Sequence, residues 1–178
     1  MPLLKLLYQP KIIGADNIPL DKPIIFAGNH RHIFDPLFVC VATERVVYFM
    51  AKKELHEAFY GGLFKLAQTI PVNRDQKDPY AMDVAYHLLK REEAIGIMPE
   101  GKINYSEQLL LPLKYGAVAL AKKTNALIVP FGIIGSYRAF KYDMSIQFGK
   151  PLDISSIDLS EANETLRSNI IELLKVQE

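Results

Sequence analysis

What most constrains this chain is an alternation. Short apolar runs rich in β-branched and aromatic residues are separated by longer stretches whose apolar positions recur at helical spacing. The runs at 23–28, 46–50, 69–72, 94–98 and 127–134 are each bounded by charges or by backbone-breaking residues. Such runs read as buried strands. Residues 145–149 alternate polar with apolar, as an edge or half-exposed strand does.

Helices lie between the runs. Asp78-Pro79 is a start signal: a capping side chain, then a proline whose missing N–H suits the first helical position. Ala81, Val84, Ala85, Leu88 and Leu89 form one apolar stripe. Lys90-Arg91 suits that helix's negative end. Ala117, Val118, Leu120 and Ala121 mark a second helix. A last helix is expected over about 160–176, capped by Ser160, with Leu166, Ile170, Leu173 and Leu174 on one face. This order predicts a single α/β domain over residues 1–178, with a central, mostly parallel or mixed sheet flanked by helices on both faces.

Bulk properties narrow the function. Hydrophobic residues make up 49% of the chain, enough for a sizeable core. The net charge is +1, which gives no overall electrostatic reason to expect nucleic acid as a partner. The single cysteine, Cys40, allows no intramolecular disulfide and no cysteine-based zinc cluster, and reads as a small buried apolar residue. No apolar segment is long enough for a spanning helix, and the start of the chain does not read as a signal peptide.

In open α/β sheets, ligands bind beyond the carboxyl ends of the strands. Three polar clusters fall there: Asn29-His30, Asn73-Arg74 and Pro99-Glu100-Gly101-Lys102. His30 and Asp35 are five residues apart. A regular helix would set them about 140° apart, and a strand would put them on opposite faces. They meet only if the chain turns between strand and helix, which Gly28 and Pro36 favour. A carboxylate on one imidazole nitrogen then frees the other to take a proton. On spacing alone the pair also reads as a loop histidine and a helix cap, and His32 is a rival base.

The segment Asn29-His30-x4-Asp35 resembles the first motif of the glycerophospholipid acyltransferase family. The resemblance continues in order over a core of about 10–155, from the lead-in at residues 12–19. Residues 68–74, Gln-Thr-Ile-Pro-Val-Asn-Arg, resemble the second motif. Met98-Pro99-Glu100-Gly101 resembles the third, and Val129-Pro130 falls where the fourth puts its proline.

The resemblance implies that His30 is the general base and Asp35 its orienting partner. It implies substrate-binding places at Asn29, Asn73, Arg74, Glu100, Gly101, Lys102, Lys114 and Pro130. The reaction it implies moves a fatty acyl group from acyl-CoA or acyl-carrier protein to the free hydroxyl of 1-acyl-sn-glycerol-3-phosphate, with no bound cofactor and no acyl-enzyme. Two departures stand out. Gln68 occupies a place where glycine is common. Ile103 stands where the third motif carries a phosphate-holding arginine, with Lys102 one place earlier. The second departure motivates an alternative, the same chemistry on a different lysolipid. A catalytically silent lipid- or acyl-carrier-binding module is a further alternative, and a thioesterase is another. A lysophospholipid acceptor implies a membrane partner. Residues 52–66 and the N-terminal leucines are the expected contact surface, giving a peripheral location on the cytoplasmic face.

Overall fold

The computed structural model describes residues 2–58, 62, 64, 67–73 and 78–175. The expected alternation is present. Strands run at Lys11–Ile13 (β1), Ile24–Gly28 (β2), Val47–Lys52 (β3), Ile70–Val72 (β4), Ala94–Ile97 (β5), Leu127–Ile134 (β6) and Ser145–Phe148 (β7). Helices run at Pro2–Tyr8 (α1), Asp35–Ala42 (α2), Lys53–Glu57 (α3), Pro79–Lys90 (α4), Gly116–Thr124 (α5) and Leu159–Lys175 (α6). The strands form one seven-stranded mixed sheet in the order β1-β7-β6-β2-β5-β3-β4. Its pairs are parallel except β6 with β7.

The central strand, β2, shows why the runs are continuously apolar. Ile25 and Ala27 join one buried cluster, which also holds Leu89, Leu120 and Ile170 from α4, α5 and α6. Ile24 and Phe26 join another, with Phe38 and Val39 of α2 and Tyr8 of α1. Successive strand side chains point to opposite faces, so a strand covered on both must be apolar throughout.

Two local expectations need correction. Strand β7 is not an edge: it lies between β1 and β6, and Ile146, Gln147 and Phe148 are buried. The three-residue β1 covers it and takes the edge itself. Ser160 is not the cap of α6. The Asp158 carboxylate accepts from the N–H groups of Ser160 and Glu161, which places Ser160 inside the first turn. Asp78 does cap α4, accepting from Ala81 N–H at 3.0 Å.

Candidate active site

The turn from β2 into α2 brings His30 and Asp35 together. Both are buried, at 6% and 0% exposure. His30 Nδ1 lies 2.8 Å from Asp35 Oδ2. The same oxygen accepts from the backbone N–H groups of Arg31 and His32, each at 2.8 Å. Asp35 is therefore not the N-cap of α2. It is the first helical residue, and its carboxylate points back into the turn. With a carboxylate accepting from Nδ1–H, the imidazole presents Nε2 as its unprotonated nitrogen.

Asp35 Oδ1 has a partner that the sequence did not single out. The hydroxyl of Tyr137, 102 residues away, donates to it. Burial, and then the Asp35 charge, push the Tyr137 phenol well above its ordinary range, so it stays protonated and donates. The Tyr137 ring also stacks on His32, with centroids 4.2 Å apart and planes 17° from parallel. That contact engages the rival base on the outer side of the turn, while His30 holds the buried position against Asp35.

The third-motif loop clamps the backbone of His30. Glu100 Oε1 accepts from His30 N–H at 2.6 Å, and Glu100 Oε2 accepts from Leu111 N–H at 2.8 Å. The His30 carbonyl accepts from Asn104 N–H at 2.7 Å. Burial raises the Glu100 pKa above the usual carboxylate range, against the pull of the Leu111 and His30 N–H groups. Asn29 makes a comparable clamp. Its side-chain amide donates to the Ile133 carbonyl at 2.9 Å and accepts from Ile133 N–H at 2.8 Å. Glu100 and Asn29 thus hold main chain, a buried positioning role with little of either side chain left for a ligand.

A cavity of about 650 Å³ is lined in part by Met98, Pro99 and Gly101, of the same loop as Glu100. Met50, Val72, Met82, Ile97 and Met98 give it an apolar wall, and Asn73, Gly101 and Lys114 also line it. Gly101 has φ +73°, and a Cβ there would meet Lys114 Cε at 2.7 Å. The left-handed backbone is what favours glycine here, since the flexible lysine stem could move aside. Lys114 is anchored by its own N–H, which donates to the Pro99 carbonyl at 2.8 Å.

The other expected site residues fall elsewhere. Lys102 is exposed and is not among the residues lining this cavity. The cation that stands there is Lys114. Pro130 is buried inside β6, paired with Ala27, rather than at the strand's end. Its carbonyl accepts from Gly149 N–H, so its missing N–H faces the side where β7 has already ended at Phe148. Arg74 lies outside the described residues. Gln68, at the place where glycine is common, holds a left-handed φ of 54°. A second hollow of about 520 Å³ is lined by the turn residues Asn29 and Arg31, with Asn104, Tyr105 and Tyr137 among others.

Neither Tyr137 nor Asn104 carried a readable signal. Tyr137 follows β6 in a loop with no periodicity, and Asn104 sits in a stretch that reads only as a turn.

Comparison with known proteins fits this geometry. A family profile described as acyltransferase matches residues 9–134. The 1-acyl-sn-glycerol-3-phosphate acyltransferase of Bacillus subtilis is 30% identical over 148 residues, 80% of this chain and 73% of that one. The human 1-acyl-sn-glycerol-3-phosphate acyltransferase alpha is 31% identical over 143 residues, 77% of this chain but 50% of its own length. The crystal structure of the 1-acyl-sn-glycerophosphate acyltransferase from Thermotoga maritima shares the fold, with a TM-score of 0.73 at 19% identity over 96% of this chain and 75% of that one. A buried His-Asp pair at the carboxyl end of a parallel strand, within a match covering most of the chain, leads to one conclusion: the chain belongs to the acyltransferase family and is an O-acyltransferase.

Proposed function

We infer that the protein transfers a fatty acyl group from an acyl thioester, acyl-CoA or acyl-carrier protein, to the free hydroxyl of 1-acyl-sn-glycerol-3-phosphate, giving phosphatidic acid. The observation that carries this reading is the buried His30–Asp35 contact, whose backbone is clamped by Glu100 of the same loop that lends Met98, Pro99 and Gly101 to an apolar cavity also lined by Lys114. Relatives named for this reaction support it.

In this mechanism the acceptor hydroxyl approaches His30 Nε2, which takes its proton. The hydroxyl oxygen attacks the thioester carbonyl carbon, and the carbonyl electrons move onto oxygen. The tetrahedral intermediate collapses, the carbon–sulfur bond breaks, and the imidazolium returns the proton to the departing thiolate. Asp35 holds the imidazole in the required tautomer and stabilises its positive form. General base catalysis of this kind contributes roughly 10²–10⁴-fold. No cofactor enters the scheme. The apolar wall suits an acyl chain, and Lys114 suits the acceptor phosphate as a point charge. Arg74, by its place in the second motif, is assigned to the same phosphate. Acting on a membrane lipid, the protein would work as a peripheral enzyme on the cytoplasmic face. Among the described residues, no helix is long and apolar enough to cross a membrane.

One observation favours a second reading. Ile103 stands where an arginine is common, and Lys102 does not line the cavity. The same chemistry on a lysolipid with a different headgroup follows if Lys114 does not bind phosphate. A panel of lysolipids, with products identified by mass, separates the two. Preference for the phosphate monoester, with a KM raised about tenfold or more by Lys114→Ala, supports the first reading. Equal or better turnover of a zwitterionic lysolipid, with Lys114→Ala silent, supports the second.

A further inference from the structure

Three segments far apart in sequence meet at one corner beside the His30–Asp35 turn. Helix α1 lies against α2, with the rings of Tyr8 and Phe38 edge to face at 5.3 Å. The backbone N–H of Phe140 donates to the Leu7 carbonyl at 2.8 Å, which ties the 137–143 loop to α1. Tyr137, in that loop, stacks on His32 and donates to Asp35. Helix α1, the 31–34 turn and the 137–143 loop are therefore neighbours on one surface.

This surface shows what folding ordinarily hides. Leu6 and Phe140 are each 64% exposed, and Ile33, Phe34 and Tyr142 are exposed as well. Phe140 and Tyr142 hold φ of 65° and 56°. Bulky side chains rarely adopt this left-handed conformation, and here no burial compensates for it. Their rings meet edge to face at 6.4 Å, forming a small aromatic knob turned to solvent.

The charges there are one-sided. Residues 2–9, 31–34 and 137–143 carry Lys5, Arg31, Arg138 and Lys141 against Asp143 alone. Lys141 pairs with Asp143 at 2.9 Å. The whole chain has a net charge of only +1, so the rest of it is net negative. Exposed aromatic and aliphatic side chains ringed by cations match the headgroup zone of an anionic bilayer. The sequence expectation named the N-terminal leucines, which this corner includes, and residues 52–66, which are described only in part. In that described part, Lys52 and Lys53 pair with Glu54 and Glu57 at 3.3 and 3.5 Å.

We propose that this corner seats the protein on an anionic lipid bilayer, with Phe140 and Tyr142 in the headgroup zone and Lys5 and Arg138 against lipid phosphates. The catalytic turn would then lie next to the leaflet that holds the acceptor. The proposal rests on the functional reading only in placing that acceptor in a bilayer, and binding is read without turnover.

The test is flotation of the full chain with vesicles of phosphatidylcholine, alone or mixed with phosphatidylglycerol. The expected result is flotation with the mixed vesicles that falls as salt rises. Phe140→Asn together with Tyr142→Asn lowers partitioning about tenfold or more, since asparagine tolerates the left-handed backbone while removing the aromatic surface. Lys5→Gln with Arg138→Gln lowers it about 25-fold, roughly fivefold for each basic residue. Tyr80→Ser, at an exposed site on α4, changes nothing. Melting curves establish that each variant is folded, and the Lys5 and Arg138 pair gives the answer should the aromatic pair not fold. A wild-type protein that stays unbound overturns the proposal. Folded variants that float as wild type does overturn it too. Flotation that depends on these residues, in a protein that acylates no lysolipid, supports the surface while the functional reading fails.

Discussion

At the residue scale, the site is a histidine whose two ring nitrogens are made unlike. Asp35 engages Nδ1, and Asp35 is itself held by two backbone N–H groups and by the Tyr137 hydroxyl. In the proposed mechanism Tyr137 is a positioning residue, acting through Asp35. Tyr137→Phe is expected to lower kcat about tenfold with KM little changed, and to add nothing further in a His30→Ala background. Steady-state kinetics of the two singles and the double checks this, because a purely structural loss would still add to His30→Ala. Cys40 makes a second prediction. Burial pushes its thiol up to about 11, so little thiolate exists near neutral pH. Cys40 is expected to alkylate far more slowly than a free thiol, read by mass spectrometry, and Cys40→Ala to retain turnover. His30 and Asp35 were legible through the resemblance of Asn29-His30-x4-Asp35 to a family motif, since spacing alone left a loop histidine and a helix cap open. Tyr137 was not, because its contact spans 102 positions and nothing local announces it.

At the scale of elements, the His30–Asp35 turn is held from two directions. Glu100 and Asn104, in the loop after β5, hold the main chain of His30, and Asn29 is fastened to Ile133 in β6. Parallel neighbours β5 and β6 flank β2, so their carboxyl ends deliver these groups to one place. Glu100→Gln keeps the size of the side chain but turns one acceptor into a donor that faces a buried backbone N–H. A loss of about 2 kcal/mol is expected, read as a lower midpoint in denaturant at unchanged slope. The clamp explains why a Glu-Gly pair belongs here, yet sequence showed only the pair. The strand errors have a similar origin. Three residues, Lys11–Ile13, are too few to read as a strand, and without them β7 looked like an edge. The cap of α6 was displaced by two residues because Asp158 and Ser160 are both good capping types, and only the hydrogen bonds choose between them.

At the scale of the whole molecule, a sheet covered on both faces leaves its strand ends as the place for chemistry. That architecture was legible, since strands buried on two sides must be apolar without alternation. The distribution of charge was not. A net charge of +1 gave no hint of a basic, aromatic corner beside the turn, because its parts lie on three distant segments. The measurement that tests the central claim most directly is thiol release from acyl-CoA and acyl-carrier protein, with and without 1-acylglycerol-3-phosphate, in wild type and His30→Ala. The account predicts release that requires the acceptor, yields phosphatidic acid, and falls about 10²-fold or more in His30→Ala. Release that ignores the acceptor, or that survives the loss of His30, would contradict it.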